Sequence, residues 1–181
     1  MPRQPDPALE ERIVAAAVRL LDRGGEAAVT MRATAREAGT TTPSLYERFS
    51  NRDVLMKRLV DRATGDLMTV LRPTKSIEAM FRAYLREAVA RPTRMELMVE
   101  TFTARHAAGE EMPAFDLLKQ RLREQLALRG SDRDDLALAI ASLAFGTARG
   151  MIAAGTNARQ AAQFQHSAVR ALRMLLKAFV G

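Results

Sequence analysis

The 181-residue sequence contains no cysteine, which excludes disulfides, thiolate metal sites and cysteine nucleophiles. It has only two histidines, His106 and His166, on different segments and without the spacing of paired metal ligands. No convergent nucleophile, base and orienting group forms around either one. His106 with Glu100, Glu110 and Glu111 reads as a group of exposed helix-end residues rather than as a metal site. Walker-type and dinucleotide-type glycine motifs are missing as well. The expectation is therefore a protein that is not an enzyme and uses no metal or cofactor. There is no run of about 18 uncharged apolar residues. The opening MPRQPDPALEER has no apolar core of the kind a signal peptide needs, so the expected location is cytoplasmic, with no membrane partner. Alternating β-branched runs bounded by turns are also absent, which excludes a sheet and leaves an all-α fold.

What is present is ordinary for a folded globular chain: 48% hydrophobic and 27% charged residues. The formal charge of +7 favours polyanionic partners. That excess is spread over the chain, with 11 basic against 9 acidic residues in 1–62 and 17 against 12 in 63–181. Net charge therefore singles out neither half, and any nucleic-acid reading must rest on where particular residues sit.

Punctuation divides the chain into helices. Asp6 as N-cap and Pro7 at the first helical position open a segment that stops at Gly24-Gly25, with Leu9, Ile13, Ala16, Leu20 and Leu21 on its apolar face. Thr30 caps a short helix from Met31 to Ala38, ended by Gly39. Thr41 caps a third helix reaching Phe49, with Pro43 tolerated in its first turn. Ser50 and Asn51 cap a fourth helix from Arg52 to about Leu71, stopped by Pro73. Longer segments follow: Ser76 to Ala90, Thr93 to His106, Pro113 to Leu128, Ser131 to Ala154 and Asn157 to Val180. About nine helices result. The expected boundary at Arg72 to Lys75 gives a DNA-binding domain over 1–72 and a C-terminal domain over 73–181.

A bihelical DNA-binding unit needs a small residue where its helices cross, a glycine in the turn and an apolar anchor in the second helix. Ala35, Gly39 and Leu45 have that spacing. The stretch MRATAREAGTTTPSLYERFSNRDVLMKRLV resembles the DNA-binding domain of the TetR family of bacterial repressors, most specifically in AGTTTPSLYERFSNRDVL. On that alignment Thr41, Thr42, Pro43 and Ser44 open the recognition helix. Leu45, Tyr46 and Phe49 form a Leu-Tyr-x-x-Phe signature, and Arg52 takes the place of the usual basic residue. The match covers residues 9 to 60. Thr34 and Thr40 depart from it, standing where the family usually has Ile or Val; each adds a hydroxyl that needs a partner.

A helix entering the major groove N-terminus first presents short polar side chains to base edges, a role open to Thr40, Thr42 and Ser44. The helix starts marked by Thr30, Thr41 and Asn51 can offer backbone N–H groups to phosphates, and Arg52 and Lys57 add charge. Tyr46 either packs or reaches a phosphate. Arg32 and Arg48 are phosphate contacts or solvated cations. Leu45 and Phe49 are core.

In the C-terminal half Ser142, Gly146, Gly150 and Ala154 recur every four residues, a stripe that permits close helix approach. Glycine inside a helix costs about 1 kcal/mol against alanine and requires a packing reason. Either intramolecular packing or dimerisation supplies one. The last segment carries Phe164, Ala168, Leu172, Leu175, Leu176 and Phe179 on one face. The resemblance implies that these two helices pair with their copies in a C2 homodimer. It also implies a ligand site among the preceding helices, where Met80, Phe81, Tyr84, Met95, Met98, Phe102, Phe115 and Phe145 are candidate lining residues or plain core. Taken together, the expectation is a ligand-responsive transcriptional regulator, a repressor that binds palindromic double-stranded DNA as a homodimer and is released by a small apolar effector. The alternative is a helical adaptor that binds partner helices and no DNA.

Overall fold

A computed structural model of the protein describes residues 7–155 and 158–179. Asp6, Asn157 and Val180, named above as helix limits, lie outside the described residues. Those described form nine α-helices and no strand: α1 (Pro7–Ala28), α2 (Met31–Glu37), α3 (Thr42–Tyr46), α4 (Arg52–Leu71), α5 (Ile77–Ala90), α6 (Pro92–Ala107), α7 (Pro113–Gln125), α8 (Gly130–Ala153) and α9 (Ala158–Ala178). They fall into two compact units, one up to Ala63 and one from Thr64. The division runs through α4, ahead of the break at Arg72 to Lys75. The reason is that Leu67 and Leu71, on the last two turns of α4, are buried in the core of the second unit.

In the first unit α1 is interrupted at Gly24 and Gly25, where Gly25 takes φ 65°, a left-handed conformation that only glycine adopts cheaply. Ile13, Val14, Ala16, Ala17 and Leu21 of α1 are buried, as are Met31 and Ala35 of α2, Leu45, Phe49, and Leu55, Leu59 and Val60 of α4. Glu37, at the end of α2, accepts hydrogen bonds from Arg19 (2.9 Å) and Arg23 (2.6 Å) of α1. These arginines hold its carboxyl below the usual carboxylate range. Arg58 and Arg62 of α4 pair with Glu10 and Glu11 of α1.

In the second unit the core gathers Ile77, Phe81, Leu85, Met95, Leu118, Leu122, Leu136, Ile140, Val169 and Leu172 from α5 to α9. α8 is its central element and packs on α5, α6, α7 and α9. By length and composition it is also apolar enough to cross a membrane, but eight of its residues are buried against those neighbours, which is sufficient reason for its apolarity. Arg173 of α9 donates to Glu78 of α5 at 2.7 and 2.8 Å, tying the last helix to the first of this unit. α7 ends at Gln125 rather than Leu128, because Leu126 turns extended (φ −135°, ψ 133°).

Candidate nucleic-acid interface and C-terminal cavity

The helix-turn-helix is built from short caps. Thr30 Oγ1 accepts from Ala33 N at 3.1 Å and starts α2. Gly39, at φ 65°, makes the turn, and Thr40 N closes it by donating to Ala35 O at 3.0 Å. Thr41 Oγ1 accepts from Ser44 N at 3.2 Å and also donates to Ser44 Oγ at 3.0 Å. The capping residue thus also orients the hydroxyl of Ser44. The recognition helix is shorter than the expected Thr41 to Phe49. Regular α-structure ends at Tyr46, and the N–H groups of Arg48 and Phe49 both return to Leu45 O at 3.0 and 2.9 Å. This tight turn carries Phe49 back into the core, where it is 3% exposed.

The expected contact residues separate by burial. Arg32, Thr41, Pro43, Tyr46, Asn51 and Lys57 are exposed, as is Thr30, whereas Thr40, Thr42, Ser44, Arg48 and Arg52 are half-buried. Tyr46 is 49% exposed while its neighbour Leu45 is 0% exposed, so one packs and the other presents its ring. Asn51 Oδ1 accepts from Val54 N at 2.9 Å and caps α4. Arg52 already has partners within the unit: its Nε donates to Val29 O at 2.8 Å and its Nη2 to Glu26 O at 2.9 Å and Glu26 Oε1 at 3.1 Å. It clasps the start of α4 to the chain between α1 and α2, a structural task the sequence did not suggest. Arg48 has a buried Nε with no partner.

Thr34 is fully buried and its hydroxyl is unpaired. The departure from an aliphatic residue therefore leaves a polar atom stranded in the first unit's core, at a cost of about 1–3 kcal/mol.

In the second unit all eight residues singled out as candidate lining, Met80, Phe81, Tyr84, Met95, Met98, Phe102, Phe115 and Phe145, border one cavity of about 110 Å³. Phe102 anchors it, meeting Phe115 edge-on at 5.7 Å and Phe145 at 4.8 Å. α4 contributes Thr64, Leu67 and Leu71. Sequence reasoning passed over these because they read as part of a DNA-binding unit, and it passed over Arg105 because a charged residue near a helix end reads as solvated. His106 stacks on Phe102 at 5.7 Å and Glu110 pairs with Arg105 at 3.1 Å, so these two have packing and ion-pair roles.

On α8 and α9 the expected dimer residues also divide. Ser142 and Gly146 are exposed, while Gly150, Ala154 and Leu175 are half-buried. A Cβ on Gly150 would lie 2.9 Å from the Phe164 ring, whereas one on Gly146 would meet nothing within 4 Å. The packing reason for Gly150 is thus inside the chain, and Gly146 has none there. Ala168 and Leu172 are buried in the unit's own core, at 5% and 0% exposure. This corrects their placement on an outward face, because α9 turns that side towards the second unit's core. Phe164, from the same expected face, stays 46% exposed although its ring lies against Gly150, and Met174 is 67% exposed.

The fold and the short capped helix pair define an all-helical protein with an N-terminal helix-turn-helix. Residues 13–59 match the model for bacterial regulatory proteins of the tetR family. The match covers that segment alone, about a quarter of the chain, and over it the chain is similar to the N-terminal part of those regulators. Similar solved structures include Mycobacterium smegmatis BioQ, at 21% identity over 94% of this chain and 97% of that one, with a TM-score of 0.72. BioQ with its double-stranded DNA operator is 22% identical over 93% and 96%, TM-score 0.65. A TetR variant from Acinetobacter baumannii AYE in complex with minocycline is 14% identical over 98% and 100%, TM-score 0.72. At these identities the likeness is one of fold. No curated protein matches the chain.

Proposed function

We propose that the protein is a ligand-responsive repressor that binds palindromic operator DNA as a homodimer and is released by a small apolar effector. The observation that carries this reading is the cavity, a hole of about 110 Å³ in the second unit's apolar core, walled in part by α4. α4 is the same helix that begins at the capped Asn51 and carries Leu55 and Leu59 into the first unit's core. A ligand that shifts α4 changes the spacing of two reading heads in a dimer.

On this reading Thr40, Thr42 and Ser44 face base edges, and Tyr46, Arg32, Arg48 and Lys57 reach phosphates. Thr30, Thr41 and Asn51 cap the helix starts, Pro43 shapes the first turn, and Arg52 holds α4 in register. The operator-binding function lies in 1–72 and dimerisation and effector binding in 73–181, with Thr64, Leu67 and Leu71 of α4 completing the effector cavity. Dimerisation is supported by exposed apolar side chains: of the seven large exposed hydrophobics among the described residues, Leu138, Phe164, Met174 and Phe179 lie on α8, on α9 or just beyond it. With Ser142 and Gly146 they form the proposed interface.

The test is selection of bound sequences from a random duplex pool by the full chain, alongside sedimentation. A palindrome with two half-sites and a dimer at micromolar concentration are expected. A monomer, or no binding to any duplex even at low salt, overturns the reading.

A further inference from the structure

The cavity has a chemical signature that narrows what can occupy it. Of the residues that line it, only Thr64, Tyr84 and Arg105 carry a polar side chain. Two of these are already engaged. Thr64 Oγ1 donates to Met98 Sδ at 3.7 Å. Arg105 donates from Nε to Glu110 Oε2 at 3.1 Å and from Nη2 to Glu111 O at 3.1 Å, so its charge is matched at the wall. Tyr84 differs: it is 9% exposed, and its hydroxyl is buried without any hydrogen-bond partner. A phenol O–H left unpaired among methionines and phenylalanines is costly unless something in the hole accepts from it. Burial pushes the Tyr84 phenol above its ordinary range. It therefore remains protonated, a donor rather than an anion.

Size sets the second limit. An engineered apolar hole of about 150 Å³ accepts one benzene ring; this site, at about 110 Å³, is of that order and opens to solvent, so it admits one ring with a short substituent but not a fused ring system. The walls are mostly methionine, phenylalanine and aliphatic side chains, with several methionines able to adjust to a ring.

The geometry points to an effector that is a neutral, single-ring-sized apolar molecule with one hydrogen-bond acceptor, a carbonyl or ether oxygen, received by the Tyr84 hydroxyl. This rests on the effector reading above and specifies its chemistry. A carboxylate is disfavoured because the one cation in the wall is already paired with Glu110 and desolvating an anion there has no compensation. A pure hydrocarbon fills the space but leaves Tyr84 unpaired.

The experiment is calorimetric titration of the full chain with three probes of similar size, ethylbenzene, acetophenone and benzoate, repeated on Tyr84→Phe after its melting temperature has been checked. The expected result is acetophenone binding about fivefold more tightly than ethylbenzene, the worth of one buried hydrogen bond, with benzoate at least tenfold weaker than acetophenone. Tyr84→Phe should abolish the preference for acetophenone and leave ethylbenzene unchanged. Equal binding of ethylbenzene and acetophenone by the unmutated chain overturns the inference and needs no variant to show it. So does a preference that survives Tyr84→Phe, or benzoate binding as tightly as acetophenone. Failure of both neutral probes to bind overturns the effector reading itself, and this inference with it.

Discussion

Each unit of the protein buries a hydroxyl that has no hydrogen-bond partner, and the two differ in what surrounds them. Thr34 sits at 0% exposure among the packed side chains of the helix-turn-helix. Tyr84 stands on the wall of a cavity. The same anomaly is a plain loss of stability in the first setting and, on the proposed function, an unfilled binding position in the second. The difference comes from packing. The first unit fills its interior around the short helix α3, whereas the second leaves room bordered by adjustable methionine side chains.

The largest effect that can break this comparison is expected at Leu45, which is fully buried beneath the recognition helix. Leu45→Ala should cost about 3 kcal/mol through lost burial and a residual void, read as a lower denaturation midpoint of the first unit and loss of DNA binding. Ligand titration of the second unit should be little changed. If both units lose stability together, they do not behave independently.

Tyr46, one residue on, should behave in the opposite way. Tyr46→Ala is expected to weaken operator binding about tenfold, within the range for a single contact, while the melting temperature stays put because the ring is half exposed. A melting change without an affinity change would place Tyr46 in the scaffold.

Thr34→Val should stabilise the first unit by about 1 kcal/mol by removing the stranded hydroxyl, seen as a higher melting temperature. A decrease would mean that the hydroxyl finds a partner in solution. Gly146→Ala comes next. With nothing within 4 Å of the added carbon, it should stabilise α8 by about 0.5–1 kcal/mol through helix propensity. If Gly146 lies in a helix-to-helix dimer contact, the dimer should weaken at the same time. Sedimentation separates the two effects, and an unchanged dimer constant removes Gly146 from the interface.

The smallest effect concerns acid stability of the second unit alone. Two hydrogen bonds from Arg173 hold the Glu78 carboxyl below its ordinary value of 4.5. The stability this pair adds is complete above that unfolded value and is lost as pH falls through the lower folded one. Because the pair is partly solvated, the amount is about a few tenths of a kcal/mol. Glu78→Gln should flatten the acid limb of the melting curve by that much, and an identical limb in both proteins would show that the clasp contributes nothing.

Most of the architecture could be read along the chain because its signals are local. Thr30, Thr41, Asn51 and Ser76 all cap helices at the positions their side chains suggest, since an N-cap acts over three residues. Gly25 and Gly39 both adopt positive φ, so these breaks too were visible in the sequence. The eight candidate lining residues were named from the region in which the resemblance implies a ligand site, and their methionine and aromatic content fitted plain core equally well. That they border a cavity rather than a solid core was decided by four helices, α5 to α8, and the second half of α4 meeting at one depth.

The misplacements share one cause. Arg52 read as a charge available to DNA, and it also bonds to Val29 O and Glu26, 23 and 26 residues earlier. Ala168 and Leu172 read as outward-facing but are buried in the second unit's core. A helix's periodicity shows that one face is apolar without saying which neighbour covers it, and a charged side chain does not announce a distant carbonyl. The helices, their caps and their turns follow from local sequence, because they depend on neighbours within about a turn. Only the tertiary structure decided which apolar faces were covered and which polar atoms found partners, because those depend on residues brought together from far along the chain.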